Sequence, residues 1–212
     1  MRAETKGRAM KHIALLSSLL LTVTFAVTPT LAQDNTTRIR GTIVSFEGNV
    51  LTVSVSGENR RITLAEHPNI VWLVKSDLSK ITPGMFVGSA ATMQPDGTLR
   101  AVEVHIFAES MRGTGEGSRP YDLGPQSSMT NGTVDTNAQV ENVSDRVLTL
   151  KYKDGEKKIV VGKDTPVVLY EPTDAKALVS GAHVYVIATR GADGTLSTVR
   201  INVGKNGVVP AM

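Results

Sequence analysis

The chain repeats itself at a constant offset of 97 residues, so any fold it adopts has to accommodate two copies of one unit. Val50-Leu51-Thr52-Val53 lies over Val147-Leu148-Thr149-Leu150, and Arg61-Ile62 over Lys158-Ile159. The register holds through Ile70-Val71 over Val167-Val168, Asp77 over Asp174 and Ala91-Thr92 over Ala188-Thr189. It ends with Asp96-Gly97-Thr98-Leu99 over Asp193-Gly194-Thr195-Leu196 and Val102 over Val199. Upstream, Gly41-Thr42-Ile43 matches Gly132-Thr133-Val134 only after an insertion of six residues in the second copy, around 137–142. Insertions between strands belong in loops.

Within each copy the apolar residues are β-branched and alternate, the period of a half-buried strand. Leu51, Val53 and Val55 point inward against Thr52, Ser54 and Ser56. In the second copy Leu148, Leu150 and Tyr152 do so against Thr149, Lys151 and Lys153. Turns at Ser56-Gly57 and Asp154-Gly155 lead into strands through Ile62 and Ile159, and a further extended piece follows at 70–74 and at 167–170. Ser76 and Thr173, residues suited to N-capping, then start short helical turns in which Asp77 and Asp174 meet the positive end of the dipole, stopped by Pro83-Gly84 or Ser180-Gly181. A closing hairpin turns at Asp96-Gly97 or Asp193-Gly194, with Val102, Val104 and Ile106, and likewise Val199, Ile201 and Val203, alternating inward.

The expected fold is all-β: two tandem small OB-like β-barrels, each with one short helical turn, joined by a Gly/Ser/Pro-rich linker. Antiparallel strands have to close or cover their edges, which favours a partly open Greek-key barrel, with a small sandwich as the alternative. The expected boundaries are 1–32 for a cleaved signal peptide, 33–37 for an N-terminal tail and 38–107 for the first repeat. The linker covers 108–131, the second repeat 132–204 and a C-terminal tail 205–212. Met111, Tyr121, Leu123 and Met129 distinguish the linker from a Gly/Ser spacer and point to an ordered segment.

Residues 1–32 read as an export signal. Arg2, Lys6, Arg8 and Lys11 precede an apolar run from Ile13 to Val27, and Thr30-Leu31-Ala32 presents small residues for cleavage after Ala32. The run is short for a bilayer span, which needs about 20 apolar residues. The expectation is a periplasmic protein with no membrane span after cleavage. That segment carries four of the 23 basic residues and one of the 20 acidic ones, leaving 19 of each. A neutral mature chain is a poor binder of phosphate backbones, and no nucleic-acid partner is expected. No cysteine is present, which removes disulfides, thiolate metal sites and cysteine nucleophiles.

The two units resemble a bacterial domain numbered 5666 among the domains of unknown function. The carrying residues are Gly41-Thr42-Ile43, Val50-Leu51-Thr52-Val53, the Pro83-Gly84 or Ser180-Gly181 turn, and the Asp-Gly-Thr-Leu hairpins. The mature chain is also similar to two-copy exported proteins of alphaproteobacterial type. There the words between the copies recur much as Arg112 to Gly117, Tyr121-Asp122-Leu123 and Ser127 to Asn131 stand here. Members of that group often have His and Trp where this chain has Ser118 and Tyr121. The resemblance implies an exported OB-like repeat protein. Some relatives are labelled metal transporter permeases, which a chain without apolar spans contradicts.

No catalytic constellation is visible, so an enzyme is not expected and no cofactor is implied. Glu47, Glu58, Asp77, Asp96, Glu116 and Asp122 supply carboxylates, but Asp77 and Asp96 are explained by a helix start and a turn. There is no Gly-x-Ser-x-Gly elbow. Lys151, Lys153, Lys157 and Lys158 read as a solvated hairpin face. His67, His105 and His183 with Met85, Met93, Met111 and Met129 offer soft ligands, yet none repeats between the copies and no ligand spacing occurs. The expected function is a non-enzymatic periplasmic binding or accessory protein for an envelope protein, polymer or small ligand. Its candidate interaction surface is the linker, through Arg112, Glu116, Arg119, Tyr121 and Asp122. The alternative is a metal-handling accessory protein beside a metal transporter.

Overall fold

A computed structural model describes Met1, residues 35–139 and residues 145–211, without the side chains of 137–139. The expected export signal beyond Met1, and the part of the insertion around 140–144, lie outside the described residues. Residues 35 onward form one compact unit. It is all-β, with three 3-10 turns and no α-helix among the described residues.

The first copy supplies β1 (Thr36–Glu47), β2 (Val50–Val55), β3 (Glu58–Lys75), β4 (Phe86–Met93) and β5 (Leu99–Phe107). After β6 (Gly117–Pro120) the second copy supplies β7 (Ser127–Gln139), β8 (Arg146–Tyr152), β9 (Gly155–Val161), β10 (Val167–Thr173), β11 (His183–Arg190) and β12 (Leu196–Gly204). The turns match the sequence expectation. Thr98 N–H and Oγ1 both bond Asp96 Oδ1, and Thr195 does the same to Asp193, while Gly97 and Gly194 take φ of 83°. A positive φ is why glycine stands there. The short helical turns also form, as 3-10 turns at Leu78–Lys80 and Ala175–Ala177, but their caps fall one residue later than Ser76 and Thr173: Asp77 and Asp174 accept the N–H bonds of Ser79 and Lys176.

The pairing crosses the copies, contrary to the expectation that each copy closes on itself. β1, β2 and β3 of the first copy join β11 and β12 of the second, with β12 running parallel to β3. Those five strands form a closed mixed barrel. β7, β8 and β9 of the second copy take β4 and β5 of the first in the same order. Here closure narrows to one pair, Arg100 with Val160, so seven strands stand outside the closed barrel. The buried clusters follow the exchange: Leu51 and Ile62 pack with Val184 and Ile201, and Val87 and Val104 with Leu148 and Ile159.

The cause lies in β3. Its 18 residues extend roughly 60 Å at the strand rise, far beyond one small barrel. Its last residues pair antiparallel with β10, Ile70 opposite Thr173 through Lys75 opposite Val168. Leu73 faces Tyr170, its own repeat equivalent, so this pair marks a pseudo-twofold axis. The strand thereby delivers β4 to the far side of the axis, beside β7.

Two inward expectations fail in both copies alike. Val102 and Val199 are exposed, at 38% and 69%, because each is skipped in the strand pairing. A bulge residue reverses the facing on one side of it. Thr149, expected in water, is buried and accepts a hydrogen bond from Thr136. Residues 205–211 are a packed segment rather than a tail. Lys205 N–H bonds Leu73 O just as Ala108 N–H bonds Tyr170 O, extending the repeat beyond β12.

Exchange makes a direct prediction. The chain divided between Met111 and Arg112 yields halves that are not folded monomers alone and that assemble on mixing into a 1:1 complex. Near-UV circular dichroism and light scattering read both properties, and a folded monomer from either half contradicts the exchange.

Candidate functional site

A cavity of about 190 Å3 opens beside the pseudo-twofold axis. β5 brings His105 and Phe107 to it, β10 brings Tyr170, and β12 brings Arg200 and Asn202. Tyr185 and Ile187 come from β11, and Met129 and Asn131 from β7. The linker completes the wall with Thr114, Gly115, Arg119 and Tyr121.

Aromatic packing sets the floor. The His105 ring stacks on Tyr170 at 4.7 Å and meets Phe107 edge-on at 4.7 Å. Gly88 permits this, since a Cβ there would lie 2.0 Å from His105 Nε2 and 2.3 Å from Asn131 Oδ1. His105 is 2% exposed and its Nδ1 has no hydrogen-bond partner among the described residues. Asn131 donates to Thr114 O, but its Oδ1 makes no hydrogen bond, although it lies close enough to the imidazole to favour protonation slightly. Burial, together with repulsion from Arg200 and Arg119, holds the imidazole down to about 3, so His105 is neutral in the cavity.

The charged groups are distributed unevenly. The Arg200 guanidinium lies over Tyr170 at 6.0 Å and bonds Asn202 Oδ1 at 3.3 Å. Arg119 bonds Gly115 O, and among the described residues neither arginine pairs with a carboxylate. Among the described residues, no acidic side chain lines the cavity.

Beside it, Arg40 takes Asp122 in a two-pronged ion pair at 2.9 Å and donates to Ala211 O. Arg40 hydrogen bonding holds the Asp122 carboxyl below its ordinary range. Tyr121 and Tyr185 join through their hydroxyls at 3.0 Å. Arg38 lies over Tyr121, and Arg40 over Tyr185. Burial raises the Tyr121 hydroxyl far above its ordinary value, so it remains a neutral donor.

The structure divides the five linker candidates. Arg119 and Tyr121 line the cavity, and Asp122 braces Arg40 next to it. Arg112 instead pairs with Glu109 and bonds Gly84 O, while Glu116 accepts from Lys153 N–H, so both tie the linker to neighbouring backbone. The linker is ordered through β6, which pairs with β7, and through a 3-10 turn at Glu109–Met111. Of the metal candidates, only His105 and Met129 reach the cavity, while His183 Nδ1 bonds the Thr42 hydroxyl. No three His, Asp or Glu residues form a metal-sized group among the described residues. No helix among them is long and apolar enough to cross a membrane.

Tyr170, Tyr185, Arg200 and Asn202 escaped the sequence reading. A signal for them exists where the copies disagree: their equivalents at the same offset are Leu73, Gly88, Glu103 and His105. The barrel interiors, by contrast, agree, as in Leu51 with Leu148, Ile62 with Ile159 and Val104 with Ile201. No protein-family model, no curated protein and no solved structure matches the chain. The resemblance to the domain of unknown function therefore rests on its motifs alone.

Glu103 yields a pH prediction. It is 2% exposed, accepts the Ala211 N–H at 3.2 Å and leaves its second oxygen unpartnered. Burial raises its carboxyl from 4.5 to about 7, against a smaller opposing pull from the Ala211 N–H and Arg40. The folded state thus holds this proton more tightly than the unfolded chain. The associated stability is complete below about pH 4.5 and is lost as pH rises through about 7, on the order of 3 kcal/mol. Glu103→Gln keeps the acceptor and the shape without the charge. Its melting temperature should match wild type near pH 4.5 and exceed it at pH 8.

Proposed function

We propose that the chain is an exported, non-enzymatic periplasmic protein that binds a small ligand in the cavity beside the exchange axis. The observation that carries this reading is His105, a cavity-lining residue that is 2% exposed and whose Nδ1 has no hydrogen-bond partner among the described residues. A buried polar atom without a partner costs about 1–3 kcal/mol, which a ligand or an ordered water recovers. Supporting it is the lining of buried polar and aromatic side chains around one cavity, the usual composition of a small-molecule site. The residues lack a nucleophile with its base or a close carboxylate pair, and binding needs neither.

In this reading each five-strand set is an OB-like barrel. Strand number, Greek-key order and the parallel contact of β3 with β12 support that assignment. Duplication followed by exchange supplies two barrels whose junction is the site, and the signal peptide delivers the protein to the periplasm. No specific observation favours the metal-handling alternative.

The test uses the mature chain from Gln33 and the low-molecular-weight fraction of a periplasmic extract. A ligand at about 100 times its Kd adds about 2.7 kcal/mol, or roughly 5–10 °C in melting temperature for a domain of this size. Ile187, 42% exposed at the cavity edge, offers a way to close the site without touching the interior. Ile187→Trp should abolish the shift while leaving the unliganded melting temperature within about 2 °C. A shift that survives Ile187→Trp places binding elsewhere and overturns the reading.

A further inference from the structure

The two sides of the pseudo-twofold axis have opposite polarity and different contents. On one side the chain's own end packs against the fold: Lys205 N–H bonds Leu73 O, Pro210 is buried, and Glu103 accepts the Ala211 N–H. Glu103 is an acceptor, and it holds a donor. On the other side Arg200 stands at the equivalent of Glu103, and Tyr170 at the equivalent of Leu73. A guanidinium offers donors and positive charge, so the complement to that side is an acceptor carrying negative charge. After Ala108 the chain continues into the linker, whose Thr114, Gly115, Arg119 and Tyr121 form part of the cavity wall, whereas after Lys205 it ends against Glu103.

From this reversal we infer that the cavity takes a small aromatic carboxylate, a single six-membered ring bearing one carboxyl group. The inference rests on the binding function proposed above and names its ligand class. Three observations restrict the class. Size is the first: a cavity of about 150 Å3 holds benzene, so about 190 Å3 holds one ring with a carboxyl group and little more. Charge is the second, since among the described residues Arg119 and Arg200 have no carboxylate partner and no acidic side chain lines the wall, and His105 is neutral.

The walls are the third. Phe107, Tyr121, Tyr170 and Tyr185 are four of the nine Phe, Trp and Tyr residues of the chain, and they meet at this one cavity. Aromatic faces and edges favour a planar ring over a saturated one. Two hydroxyls joined by one hydrogen bond, as in Tyr121 and Tyr185, also leave one O–H proton to donate to a ligand.

Calorimetric titration of the mature chain tests this with benzoate and 4-hydroxybenzoate. Phenol serves as a ring without charge, cyclohexanecarboxylate as charge without an aromatic face, and glucuronate as a carboxylate on a sugar ring. Both aromatic carboxylates should bind, and each of the other three at least about tenfold more weakly. Arg119→Gln, at an exposed position that leaves the fold intact, should weaken benzoate about tenfold, and Arg200→Gln should do the same or more, with Arg200→Lys restoring part of the loss. Absence of aromatic carboxylate binding up to about 10 mM, equal binding of phenol or cyclohexanecarboxylate, or tighter binding of glucuronate overturns the assignment. If the periplasmic extract still gives a shift that Ile187→Trp abolishes, the ligand class falls and the cavity stands as a site. If that shift is also insensitive to Ile187→Trp, both fall.

Discussion

The antiparallel pairing of β3 with β10 about Leu73 and Tyr170 is the contact on which the rest of the molecule depends. It is self-complementary in the way a twofold interface is, because each residue of the pair is the repeat equivalent of the other. Once it forms, the end of each long strand segment lies across the axis from its own barrel. The hairpin that follows finds its β1 partner in the other copy: β4 beside β7, and β11 beside β1. Every barrel contact between copies is a consequence. The strand junction is what distinguishes the exchanged form.

A junction on a pseudo-twofold axis presents the same backbone twice but need not present the same side chains. Here the interiors of the two strand sets remain alike, whereas the axis has diverged into opposites. One face receives the chain's own end through Glu103, with Arg40 holding the neighbouring carbonyl and Asp122 holding Arg40. The other face retains a cavity with a neutral imidazole and two guanidiniums that have no carboxylate partner among the described residues. Burial of Glu103 and His105 shifts them in opposite directions for one reason, which is that low polarity penalises whichever form is charged. The junction is therefore both the mechanical centre of the fold and its most chemically differentiated region.

Local chemistry was the legible part of this protein. The Asp-Gly turns at Asp96 and Asp193 and the alternation of Leu51 and Val53 are short-range properties that formed as their residues dictate, and the helical turns formed with caps at Asp77 and Asp174, one residue beyond Ser76 and Thr173. Val102 and Val199 misled because a bulge depends on how a strand is paired, not on its own pattern. Part of the site was also legible: Arg119, Tyr121 and Asp122 stood out in an unrepeated linker. Arg200, Tyr185 and Tyr170 were hidden in strands whose alternation gave no hint of a shared cavity, although each disagrees with its partner in the other copy.

The sequence by itself determined an all-β chain with two equivalent units, the position of its turns and caps, and an ordered segment between the copies. These follow from side-chain periodicity and backbone preference, which act over a few residues. Tertiary structure alone decided which hairpin joins which three strands, because exchanged and unexchanged pairings satisfy the same hydrophobic pattern. It also decided that residues over a hundred positions apart, Glu103 and Ala211 on one side of the axis, Arg119 and Asn202 nearer in sequence on the other, would meet there. That outcome comes from the reach of an 18-residue strand across the axis, a geometric fact that no local pattern encodes.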